Sequence, residues 1–222
     1  MKIQSINSIH VFTNNKHNKN IQNNTNLTPN KTITFGDSKK FIQNTVNVLV
    51  KKLNKEGIEH QIMATPQGIT VVEFKNLITI TQTTTFLPTG EKKIIKYRPD
   101  GSVPNLAIKY DDKNRIRVTT NYAPTGRKLK TVIYNENGRV ASQTSYQGFA
   151  NFPKLKQEFH KDGKTVFRQT SYHDSSKKPK TILEFDEKGK ISQKSEFDTN
   201  RKLTAKIVYD KNGNPINKSQ QI

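Results

Sequence analysis

The chain has 222 residues, of which 31% are hydrophobic, and a net charge of +20 from 38 basic and 18 acidic residues. It has no Cys, which excludes disulfides, thiolate chemistry and Cys-ligated zinc, and no Trp, so any core is built from Ile, Val, Leu, Phe and Tyr. No apolar run approaches membrane-spanning length, and the start lacks the continuous apolar core of a secretory signal. The reading is therefore a soluble, cytoplasmic protein without a transmembrane segment, with secretion by a route lacking such a signal left open.

Residues 1–33 are rich in Asn, Lys and Thr and carry four Lys and no acid. They offer little apolar surface to offset the entropy of ordering, so a disordered tail is expected. Ile3, Ile6, Ile9, Val11 and Phe12 form apolar patches within it that suit either a plain tail or a docking or export element.

Residues 34–57 hold the one predicted helix, over 38–56. Asp37 or Ser38 can cap its start and Gly57 can end it. Phe41, Thr45, Leu49 and Leu53 recur at four-residue spacing, flanked by Ile42, Val46 and Val50, while Asn44, Lys51, Lys52 and Lys55 lie away from that stripe. Such a helix is expected to cover the apolar face of a sheet.

From Ile58 to the C-terminus the pattern is strand and turn. An aromatic residue returns every twelve or thirteen positions from Phe74 through Phe86, Tyr97 and Tyr110 to Phe197 and Tyr209. Turn signals follow it, such as Arg-Pro-Asp-Gly at 98–101 and Asp-Glu-Lys-Gly at 186–189. About eight residues of strand plus four of turn make one strand of an antiparallel meander, and two strands make a hairpin unit of about 24 to 26 residues. The expectation is a single mainly-β sheet of roughly eleven to thirteen strands from Ile58 to Ile216, with the helix at its N-terminal end. Because one helix cannot cover so wide a sheet, the sheet should curl or pair with a second copy through its open face or edge.

Alternation places Ile116, Val118, Thr120 and Tyr122 on one face, and Leu203, Ala205, Ile207 and Tyr209 likewise. The opposite face reads Arg115, Arg117, Thr119 and Asn121, then Lys154, Lys156 and Glu158, then Lys194, Glu196 and Lys206. One face is thus expected to be aromatic and the other cationic. A cationic face attracts nucleic acid or an anionic membrane or envelope surface through phosphate contacts without sequence readout. Its candidate contacts are Lys109, Arg115, Arg117, Lys154, Lys156, Lys194 and Lys206, joined by Lys92, Lys96 and Lys180, with the most positive patch expected around Lys109, Arg115 and Arg117. Charge that merely keeps a sheet soluble gives the same pattern.

No catalytic constellation emerges. His160 and His173 match in repeat position, but alternating turns put them at opposite ends of the strands, too far apart to share a metal. Asp111, Asp186 and Asp210 lie at one end but two strand spacings or more apart, which suits turn formation rather than a carboxylate pair. No phosphate-binding glycine loop and no metal or cofactor site is indicated.

Tyr209-Asp210-Lys211-Asn212-Gly213 and Phe185-Asp186-Glu187-Lys188-Gly189-Lys190, in hairpins of this length, resemble bacterial MORN-variant repeats and the shorter Tyr-Asp repeats of polymorphic-toxin shells, over residues 74–216. The resemblance implies a β-repeat scaffold with a binding or adaptor role and no catalytic residue. The expected function is accordingly a non-enzymatic repeat scaffold for an unknown protein partner, with polyanion binding as the alternative.

Overall fold

The computed structural model describes residues 11–12, 37–65, 68–148 and 150–220. One helix, α1 (Asp37–Glu56), precedes a continuous run of antiparallel strands. These are β2 (Glu59–Thr65), β3 (Gly68–Lys75), β4 (Thr79–Phe86), β5 (Lys92–Tyr97), β6 (Pro104–Tyr110), β7 (Ile116–Tyr122) and β8 (Lys128–Tyr134). Then follow β9 (Val140–Gln147), β10 (Phe152–Phe159), β11 (Val166–Tyr172), β12 (Pro179–Phe185), β13 (Ile191–Phe197), β14 (Leu203–Tyr209) and β15 (Pro215–Gln220). Each strand pairs with the next, so the sheet is a pure meander.

Two expectations need correction. The sheet has fourteen strands from β2 to β15, beyond the expected eleven to thirteen, because the backbone ladder of β15 continues to Gln220 after the apolar pattern stops at Ile216. A fifteenth strand, β1 (Val11–Phe12), pairs with the outer side of β2 in the segment read as disordered. An unpaired strand edge is an open row of hydrogen-bonding groups, and even two residues satisfy some of them. The rest of residues 1–33, with His10 and His17, lies outside the described residues.

The core lies under α1. Ile42, Val46 and Leu53 are buried against Ile69, Val71 and Phe86, with Leu49, Val50, Ile58 and Ile62 packed around them. The helix ends as its sequence demands. Gly57 takes φ 68°, its amide donates to Asn54 O, and the Ile58 amide donates to Leu53 O at 2.9 Å. This pair of bonds satisfies the last carbonyls and turns Ile58 back into the core.

Away from α1 the sheet is a single layer, stitched by cross-strand polar pairs. Thr70 meets Thr85 at 2.9 Å and Thr120 meets Thr131 at 3.2 Å. Gln143, Gln157 and Gln169 form a ladder across β9, β10 and β11. Proline, which cannot donate to a ladder, opens β6, β12 and β15 at positions where the register slips by one residue.

That slip decides which way every side chain points. Residues paired across strands share a face, and a one-residue slip changes the parity. A slip occurs at every aromatic strand end from Tyr97 to Tyr209. The pairings Val71–Thr84–Ile94–Ile108–Thr119–Val132–Gln143 trace the face that α1 covers. Phe86, Tyr110, Tyr134, Phe159, Phe185 and Tyr209 stand on this helix face, whereas Phe74, Tyr97, Tyr122, Tyr146, Tyr172 and Phe197 stand on the back face. The single aromatic face expected from alternation is therefore corrected to two stripes, one per face, at opposite ends of the strands. Alternation within a strand cannot show this, because face is inherited through pairing between strands.

Candidate binding surfaces

The turns occupy two rims. After Phe86, Tyr110, Tyr134, Phe159, Phe185 and Tyr209 the chain turns at an upper rim, and after Tyr97, Tyr122, Gln147, Tyr172 and Phe197 at a lower one. Most turns share one geometry. The Asp111 amide donates to Arg115 O and the Asn114 amide to Asp111 O, and the same pair recurs at Asn135, Asp186, Asp198 and Asp210. The leading Asp or Asn accepts the amides two and four residues on, as Asp210 Oδ1 does from Asn212 and Asn214 at 2.8 Å each. Asp111, Asp186 and Asp210 are turn-forming residues, as their sequence context implies.

A second device joins the turns to one another. Arg115 Nη1 donates to Glu136 O, Arg139 Nη1 to Lys161 O and Lys190 Nζ to Lys211 O, at 3.1–3.3 Å. All three cations close their own turn and reach the second residue of the next turn on the upper rim. On the lower rim Arg98 Nη2 donates to Tyr122 O, and His173 Nε2 contacts Phe197 O at 3.0 Å. Part of the positive charge thus tethers turns. Sequence reasoning missed this role, although the repeated basic residue after the turn glycine (Arg139, Lys190) is a visible signal.

The seven candidate polyanion contacts are dispersed. Lys109, Lys154, Lys156 and Lys206 are on the back face, Arg117 and Lys194 on the helix face, and Arg115 at the upper rim. Lys156 lies 2.7 Å from Glu158 and Lys194 2.7 Å from Glu196. The Glu196 carboxylate, first by hydrogen bonding and then by charge, raises the Lys194 ammonium above its usual value. Lys109, Arg115 and Arg117 each border a cavity of about 420 Å³ at the upper rim, reaching it from different faces, and Glu91, Asp111 and Glu136 line it as well. Arg115 Nε is 2.8 Å from Asp111. Burial raises the Asp111 carboxyl, while the Arg115 amide and guanidinium outweigh that and hold it below the ordinary carboxylate value. Three cations there face three carboxylates.

The wider back face of the strands is less compensated. On β5–β14 Lys93, Lys109, Lys128, Lys154, Lys156, Arg168, Lys180 and Lys206 share it with the acids Glu158 and Glu184, and Glu59 joins it on β2. The segregation follows from turn chemistry, since Asp is drawn to the rims and leaves the strands basic. Lys128 Nζ sits 5.7 Å from the centre of the Tyr146 ring. Burial first, and then the phenols of Tyr146 and Tyr97, raise the Tyr122 hydroxyl above its usual value. The small side chains of Thr120, Ser142, Thr170 and Ser195 lie buried between the long ones on this face.

His160 and His173 stand at opposite rims, in the turns after Phe159 and Tyr172, and do not meet. The His160 ring packs against Phe167 at 5.3 Å. Among the described residues no three His, Asp or Glu side chains cluster as metal ligands. No helix among them is long and apolar enough to cross a membrane.

No family model matches the chain. No curated protein matches it either. Among solved structures it is similar to TarM, at 12% identity and a TM-score of 0.35, over 55% of this chain and 25% of TarM. A variant of the S. aureus TarM solved with Fondaparinux, alpha-GlcNAc-glycerol and UDP gives 14% identity and a TM-score of 0.37, over 58% of this chain and 26% of that one. A porin-like protein from Bacteroides uniformis gives 11% identity and a TM-score of 0.27, over 74% and 83%. The chain thus spans about a quarter of the length of the TarM structures it matches. At this level of similarity none bears on what the chain does.

Proposed function

We propose that the protein is a non-enzymatic repeat scaffold whose broad sheet is an interaction surface for a protein partner. The supporting observation is the single layer itself. α1 packs on β2 and β3, and among the described residues no other element covers either face of the remaining strands. Half-buried apolar rows such as Ile94, Ile108 and Val132 remain available for a partner to bury. A photo-crosslinking residue at Lys130 (helix face) or Lys109 (back face) tests this in the producing cell. One discrete protein adduct, formed from one face and not the other, is the expected result. Smeared or absent adducts from both positions overturn the scaffold reading.

A second reading is favoured by the charge segregation on the back face of β5–β14, where eight cations accompany two acids. There the ligand is a linear polyanion held by phosphate or similar groups without sequence preference. Retention on a polyanion column that collapses with salt, and that drops when Lys109 and Lys154 become Ser, supports it. Retention insensitive to those changes removes it.

A further inference from the structure

We infer that the helix face over β5–β8, directly beside α1, is a docking groove for an acidic amphipathic helix of a partner protein; this rests on the scaffold reading and names its surface and partner class. α1 already shows what this face accepts. Its stripe of Ile42, Val46 and Leu53 is seated on Ile69, Val71 and Phe86. The row under α1 runs on through Ile94, Ile108 and Val132, with Thr119 between the last two, past the edge of the helix. Helices pack with axes about 8–10 Å apart, which is two strand spacings of about 4.8 Å. A second helix laid against the flank of α1 therefore sits beyond β4 and finds its apolar partners in Ile94 on β5 and Ile108 on β6.

The groove has walls and ends. A crevice of about 230 Å³ opens along α1 at the upper-rim end, lined by Ile42, Phe86 and Leu87 and also by Lys92, Glu91, Asp111 and Asp112, so an acidic occupant is favoured towards the lower rim, near Lys96 and Lys130. On the far side the same row turns polar at the ladder of Gln143, Gln157 and Gln169, which bond one another and present no apolar surface. The open width from β5 to β8 is about three strand spacings, on the order of 14 Å, which admits one helix of about 10–12 Å diameter but not two.

Charge selects the occupant. Lys92, Lys96, Arg117 and Lys130 border the apolar row, and β5–β8 place no acid on this face between the rims. A second copy of this chain carries the same charge of +20 and is repelled.

The intact protein can be titrated with a helix-stapled probe peptide of about 18 residues, with Leu on one stripe and Glu elsewhere, and with a scrambled peptide of the same composition. The amphipathic peptide is expected to bind about tenfold more tightly than its scramble, and the double change Lys96→Glu, Lys130→Glu to weaken it about tenfold. Both lysines are exposed, so this variant keeps its fold. The matched pair Lys109→Glu, Lys154→Glu has the same net charge but alters the back face, and should change binding by no more than about twofold. Equal binding of the scramble, or equal loss from the back-face pair, overturns the groove and leaves only general attraction of acids. A cellular partner crosslinked from Lys109 while the peptide ignores Lys96 and Lys130 keeps the scaffold and also overturns the groove.

Discussion

Arg115 closes its own turn by pairing with Asp111 and holds the following upper-rim turn through Glu136 O. A change to Ser removes both contacts from a partly exposed guanidinium, so the cost is modest, about 1 kcal/mol, or a fall of about 2–4 °C in thermal midpoint. Arg115→Ser is thus not the silent surface change that its place in a polar run suggests. Glycine supplies a sharper comparison. Gly163 and Gly189 both end turns with positive φ, but a Cβ on Gly163 meets Arg139 Cβ at 2.8 Å and Val140 N at 3.0 Å, while one on Gly189 meets nothing within 4 Å. Both alanine variants carry the left-handed strain of about 1–2 kcal/mol, and Gly163→Ala should unfold at clearly lower denaturant because it also pushes two rows of backbone apart. Acid sensitivity has a named origin too. The Thr165 hydroxyl, then the Lys164 and Thr165 amides, hold the Asp162 carboxyl at about 2. Its unfolded value is near 3.9, so its contribution is complete above about pH 4 and fades as pH falls towards 2. Stability measured from pH 5 to 2 should therefore fall less steeply in Asp162→Asn than in the parent.

At the scale of elements, α1 and the strands beneath it differ from the rest in kind. Leu53 is 3% exposed and fills the junction between helix and sheet. Leu53→Ala should cost about 2–5 kcal/mol and release α1 with β2–β4, read as faster amide exchange there, while β9–β13 keep their protection. Most of these elements were legible in the sequence. The stripe of α1, its terminal Gly57, the strand period and the turn residues each state a local rule, and local rules survive in the fold. What escaped were contacts that no local rule encodes. The glutamines of β9–β11 read as ordinary polar positions at 143, 157 and 169, and only register lines them up. Val11 and Phe12 looked like stray apolar residues until β2 offered them an edge.

For the whole molecule, the misread quantity was parity. Each strand was readable by itself, but the face of Tyr122 relative to Tyr110 depends on one slipped residue between β6 and β7, and nothing in the alternation of either strand announces it. The same slip scattered Lys109, Arg117 and Lys194 over two faces. If the back face does hold a polyanion, removing Lys109, Lys154 or Lys206 should each lower the salt slope of binding by about one unit, whereas Arg117→Ser and Lys194→Ser, facing the other way, should leave the slope unchanged. A slope that drops equally for all five places the charge in general solvation.

The slipped register also constrains how a chain of this design can change length. Every strand enters reversed in direction and inverted in face relative to its predecessor, so a duplicated or lost unit of one strand swaps top for bottom and front for back in everything downstream. After such an event the glutamine ladder leads to the wrong side, and Arg115 and Arg139 face rims without their carbonyls. Two units gained or lost together restore both senses at once. Growth or shrinkage of the sheet in even steps therefore preserves its faces and rims, whereas a single step does not.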